Sequence, residues 1–136
     1  MSTLQDFLNR NLVDNLTKEV AISDRLRDEN GALLKAKIKT MTVKELNALR
    51  KDNTKINKKG KPEVDTEKLN TAIVIENTID PNFKDAESMK LTGCIKPEQY
   101  LDKVLLSGEV ATLSDEILKF SGFNTSMNEL VYEVKN

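Results

Sequence analysis

Apolar residues from Thr3 to Leu16 fall at Leu4, Phe7, Leu8, Leu12 and Val13, the three- and four-residue spacing that puts side chains on one face of a helix. Ser2 and Gln5 stand where a capping box would start it. The pattern leaves open whether this helix docks on the rest of the chain or stays apart until a partner arrives. Between Lys18 and Met41 the period changes to two. Val20, Ile22 and Asp24 alternate with other residues, and after Asp28-Glu29-Asn30-Gly31 a second run sets Leu34, Ala36, Ile38 and Thr40 against Lys35, Lys37 and Lys39. Alternation on both sides of Asn-Gly predicts a β-hairpin, because both residues tolerate the positive φ of a tight turn. Its lysine face should meet water, and its apolar face needs a cover.

Thr42-Val43-Lys44-Glu45 reads as a capping box opening a helix to about Lys51, with Val43, Leu46 and Leu49 on its apolar face. Residues 53–65 hold Lys55, Lys58, Lys59, Lys61, Gly60 and Pro62 and little apolar surface beyond Ile56, so a basic loop is expected there. Asp65 or Thr66 then caps a helix with Leu69, Ala72, Ile73 and Ile79 on one face and Val74 and Ile75 elsewhere, the broad arc of a central helix. Asp80-Pro81 stops it. A short helix is expected from Asp85 to Leu91, ending at Gly93. Another, opened by Pro97, carries Tyr100, Leu101, Val104 and Leu105. Ser107-Gly108 is expected to interrupt the run. Glu109 to Ser121 resumes it with Val110, Leu113, Ile117 and Phe120, closed by a left-handed Gly122 with Phe123 as the apolar contact beyond. Ser126-Met127-Asn128-Glu129 precedes a last segment with Leu130, Val131 and Val134.

These elements describe one α+β domain over 1–136, helix-dominant, with an N-terminal β-hairpin packed with several α-helices. Its segments are a helix at 1–16, a hairpin at 18–41, a helix at 42–52, a basic loop at 53–65, a helical region at 66–123 and a tail at 124–136. A chain of 136 residues can bury a core without staples.

Composition narrows the chemistry. The chain has no histidine, which removes the commonest general base, the usual triads and most zinc sites. One cysteine, Cys94, cannot form an internal disulfide or a CxxC pair and reads as a small core filler. No phosphate-cradling glycine motif is present. Asp24, Asp28 and Glu29 lack the ligand spacing of a calcium loop. No catalytic, cofactor-binding or metal-binding residue is therefore assigned, and no cofactor is expected.

With 21 basic against 22 acidic residues there is no general attraction to nucleic acid or anionic lipid. No apolar run approaches the ~18 residues of a membrane helix, and the first residues lack the pattern of a signal peptide. Lys55 to Lys61 keeps a nucleic-acid reading alive, although no aromatic interleaves to stack on bases and no arginine is there for base contacts.

Several blocks occur in an order that resembles the XkdN-like tail assembly chaperones of long-tailed phages and PBSX-like defective prophages. They are Arg25-Leu26-Arg27-Asp28-Glu29-Asn30-Gly31, Thr42-Val43-Lys44-Glu45-Leu46, Lys58-Lys59-Gly60-Lys61, Asp65-Thr66-Glu67-Lys68 and Pro81-Asn82-Phe83-Lys84-Asp85. The series ends with Pro97-Glu98-Gln99-Tyr100-Leu101, Leu105-Leu106-Ser107-Gly108-Glu109 and Ser121-Gly122-Phe123. Ser107 stands where a proline is common in that family. The resemblance implies a non-catalytic protein acting in the cytoplasm of the bacterial host. It would bind the tape measure protein, keep its apolar helical segments from aggregating, and recruit tail tube subunits. The resemblance carries over no catalytic residues. For such a grip the residues themselves offer Leu4, Phe7, Leu8 and Leu12 in the first helix and Leu130, Val131 and Val134 in the tail. The same residues would equally serve to complete the core. A nucleic-acid-binding accessory protein and a structural component kept in the tail are the competing expectations.

Overall fold

Val20, Ala36 and Ile38 alternate with lysines and other polar residues, and the computed structural model places them as that pattern requires: buried, on one face of a sheet. The structure describes residues 2–13 and 16–123. Strand β1 (Thr17–Ala21) pairs antiparallel with β2 (Lys35–Lys39), setting Val20 against Ala36 and Lys18 against Ile38. The pairing expected for residues 18–41 is therefore present, but the strands stop well short of Asn30-Gly31. Residues 22–34 form a wide connection closed by an isolated bridge between Arg27 and Leu33. At its tip the Asp28 carboxylate accepts hydrogen bonds from the Asn30 and Ala32 amides, and Gly31 takes φ of 83°.

A third strand, β5 (Thr78–Asp80), lies antiparallel on the other edge of β2, with an irregularity between Lys37 and Ile38. It corrects the expectation that Ile79 belongs to the central helix. Helix α3 (Thr66–Asn77) ends first, and Ile79 is an exposed strand residue. A strand residue next to a proline is cheap, since the residue before proline is pushed to extended backbone anyway. Asp65 caps α3 by accepting from the Lys68 amide. The buried Leu69, Ile73, Val74 and Ile75 cover a broad arc of this helix, which packs on helices α2 (Val43–Asp52), α5 (Pro97–Val104) and α6 (Ser107–Phe120). It is the central helix of the domain.

Helix α2 has the reciprocal capping box of Thr42 and Glu45. Leu46 is buried in it, whereas Val43, expected on the apolar face, is exposed. Residues 53–65 differ from the expected loop. They form a small antiparallel ladder of β3 (Thr54–Ile56) and β4 (Pro62–Val64), turned by Asn57, whose side chain accepts from the Lys59 and Lys61 amides. Val64 anchors it in the core. The ladder escapes a hydrophobic-pattern reading because three-residue strands hold too few positions to show a period.

A short helix α4 (Ala86–Leu91), capped by Asp85, leads to Gly93 at φ of 71°. The break between α5 and α6 falls at Leu105 and Leu106, and Ser107 and Gly108 form the first turn of α6 rather than an interruption. The C-terminal cap is as expected: Gly122 takes φ of 95°, its amide donates to the Lys119 carbonyl, and the Phe123 amide donates to Leu118.

Glu109 ties the wide connection to the helices. Arg25 Nη2 donates to its Oε1 at 2.6 Å and to the Val104 carbonyl at 3.0 Å, and the Leu106 amide donates to the same carboxylate at 2.8 Å. The Arg25 hydrogen bond, helped by Ser23 and Leu106 against the cost of burial, lowers the Glu109 carboxyl to about 2. A carboxyl lowered in the folded state stabilises it above the unfolded value near 4.5 and loses that contribution as pH falls toward about 2. The urea midpoint is therefore expected to fall across this window. Arg25→Ala should flatten that part of the profile and cost about 1–2 kcal/mol at neutral pH, because Arg25 is half exposed and screened. An unchanged profile in the variant would assign the acid sensitivity to other carboxylates.

Candidate partner-binding surface

Helix α1 (Thr3–Arg10) begins where Ser2 Oγ accepts the Gln5 amide at 3.0 Å. The reciprocal half of the expected box is missing, since the Gln5 side chain donates to Asn9 instead. The helix is shorter than the 1–16 segment predicted, and none of its residues is buried. Leu4 is 66% exposed, Phe7 60%, Leu8 50% and Leu12, just beyond it, 69%. Each such side chain contributes about 1.5–3 kcal/mol when taken out of water. An isolated helix of this length is marginal in water. The stripe is thus left bare on a helix that buries none of its residues.

The junction that holds α1 is specific. Thr40 Oγ1 donates to the Val13 carbonyl at 3.2 Å, and the Thr40 amide to the Leu16 carbonyl at 3.3 Å, at the end of β2. Of the predicted partner residues, Leu4, Phe7, Leu8 and Leu12 thus lie together on this one exposed segment. Leu130, Val131 and Val134 lie outside the described residues, as does the capping sequence at Ser126.

A second apolar feature was not legible in the sequence. Ile22, Leu26, Leu34, Pro81, Tyr100 and Leu105 line an open groove of about 330 Å³ between the wide connection and α5. Its walls come from three distant parts of the chain, so no local pattern marks it. Leu91 and Ile95, on either side of Gly93, are 82% and 87% exposed and were also missed, having no periodic neighbours to flag them.

The chemistry of the remaining surface is plain. Asn53, Lys68, Thr71, Lys96, Glu98 and Asp102 are among the residues lining a larger open depression of about 640 Å³ with both charge signs. Among the described residues no group of three His, Cys, Asp or Glu side chains could hold a metal ion. Cys94 is a buried free thiol within reach of Thr92. In the basic segment Lys55 pairs with Asp65 at 3.8 Å, while Lys58, Lys59 and Lys61 project from the β3–β4 turn. No described helix is long and apolar enough to cross a membrane.

Residues 4–135 match a family profile described as phage XkdN-like tail assembly chaperone protein. Two Bacillus subtilis (strain 168) proteins are similar over 123 residues, in each case 87% of this chain and 83% of the relative: YqbN at 30% identity and the phage-like element PBSX protein XkdN at 29%. The crystal structure of YqbN superimposes with a TM-score of 0.69 at 26% identity, covering 91% of this chain and 99% of that one.

Proposed function

The chain belongs to the phage XkdN-like tail assembly chaperones, and from that premise we propose that it grips the tape measure protein through the bare face of α1 and helps to bring tail tube subunits to it. The observation that carries this reading is the row Leu4, Phe7, Leu8 and Leu12, exposed on a helix with no buried residue. A long helical client presents apolar stripes that aggregate unless another amphipathic surface covers them, and a helix laid against a helix supplies that cover in the same 3.6-residue period. The role is non-catalytic and belongs to the cytoplasm of the bacterial host. Oε1 of the buried Glu109 carboxylate holds Arg25 and the start of α6, which is structural work.

Co-expression with a phage tape measure protein tests the proposal. The client is expected to move from the insoluble to the soluble fraction and to co-purify. A client equally insoluble with and without this chain would end the reading. Mass spectrometry of purified particles separates a chaperone, absent from them, from a structural tail component present at fixed copy number.

A further inference from the structure

We infer that the free protein is a symmetric dimer in which α1 of each copy lies in the apolar groove of the other, between its wide connection and its α5. The chain carries both halves of this joint and holds them apart. Thr40 fixes Val13 and Leu16, which follow α1, at the end of β2. The groove opens at the other end of the same strand, lined there by Lys35 and Ala36, ~16 Å along the chain from Thr40. Leu34 on its wall is half exposed, so the groove meets water with apolar surface just as α1 does. A twofold axis joins such a helix to such a groove twice, and each copy gives and receives the same contact.

Size and charge both fit a second copy. A cavity of ~150 Å³ takes one benzene ring, so a groove of about 330 Å³ has room for the Phe7 ring and one leucine of the stripe. Leu4, Phe7, Leu8 and Leu12 are each at least half exposed, and about 100 Å² from each removes roughly 400 Å² of helix face from water. Counted on both partners and at both joints, the buried surface is about 1,600 Å², the size of a standard stable interface. Charges lie on one side only of each half. Asp6 and Arg10 flank the stripe beyond Phe7, ~6 Å apart, while the other flank carries the neutral pair Gln5 and Asn9. In the groove, Lys35 and Asp80 stand on the sheet side, and Tyr100, Val104 and Leu105 of the opposite wall are neutral. Asp80 is in register with Lys37, so it is the diagonal neighbour of Lys35 at ~7–8 Å. With the Phe7 flank against the sheet, Asp6 meets Lys35 and Arg10 meets Asp80. Among the described residues none of these four has an ion-pair partner within its own chain.

Sedimentation equilibrium of the full chain, without any client, tests the dimer. The expected result is a dimer with a micromolar or tighter dissociation constant. Leu34→Asp in the groove and Phe7→Asp on α1 should each weaken it at least about a hundredfold, since either carboxylate would have to be buried in the joint. Thermal midpoints read in dilute samples, where every chain is a monomer, are expected to match, because both positions are exposed. Arg10→Glu and Asp80→Lys should each weaken the dimer about tenfold, and the two together in one chain should restore it. A chain that stays monomeric at every concentration overturns the proposal, whether α1 remains bare or enters the groove of its own chain. A dimer that ignores Leu34→Asp overturns it in favour of α1 pairing with α1, and one that ignores Phe7→Asp in favour of another surface. A double charge variant no better than either single one overturns the placement of α1 in the groove. Only one consequence rests on the reading of α1 as the client grip: client and second copy compete for the same face. A client bound to an intact dimer would remove the grip and leave the dimer standing.

Discussion

Replacing Phe7 and Leu8 together by aspartate is expected to weaken capture of the client at least about a hundredfold while leaving the thermal midpoint unchanged. The magnitude follows from area. Two large side chains buried against a helical client contribute about 3–6 kcal/mol, and each 1.4 kcal/mol is a factor of ten. The substituted carboxylates would also have to be desolvated, which pushes the loss further. Stability should hold because neither position is buried: Phe7 is 60% exposed and Leu8 50%. A pull-down titration and a calorimetric scan of the same samples check both halves. Destabilisation by several degrees would show instead that these residues complete the core and that α1 is no grip.

The second large effect concerns the interior. Phe83 follows the stop at Asp80-Pro81, sits in a loop held by the Asn82 side chain and carbonyl, and is completely buried. Its ring lies 6.1 Å from that of Tyr100 at 56°, a tilted contact joining the loop to α5. Phe83→Ala removes that contact and leaves a cavity in a packed interior, at a cost of about 3–5 kcal/mol. For a chain of this size that lowers the midpoint by roughly 10–20 °C. Urea denaturation should show the lower midpoint with an unchanged slope, and a loss below about 1 kcal/mol would mean that the site collapses to fill the space. Client capture by the folded fraction is expected to survive, because Phe83 lies apart from α1 in the fold.

Much of the architecture follows from local chemistry. Ser2, Thr42, Asp65 and Asp85 each accept an amide three residues on, so the starts of α1, α2, α3 and α4 are written in short spacings. Gly122 needs no Cβ at its positive φ, so the end of α6 is local too. The exposed stripe of α1 was legible for the same reason: a period of 3.6 is visible in any window long enough to hold two turns. Local pattern was not enough to say whether that stripe would be covered.

Other features depend on distant parts of the chain meeting. Thr78–Asp80 is a strand only because β2 offers it an open edge, and three residues cannot announce that on their own. Residues 54–56 and 62–64 pair because Val64 is drawn into a core assembled elsewhere. Ile22, Pro81 and Tyr100 form one groove although 59 and 19 positions separate them in turn. Caps, periods and turns are energies of neighbours along the chain and are present before folding. Edges, grooves and the corner where Thr40 and Met41 hold Val13, Leu16 and Ser121 exist only once remote segments have packed.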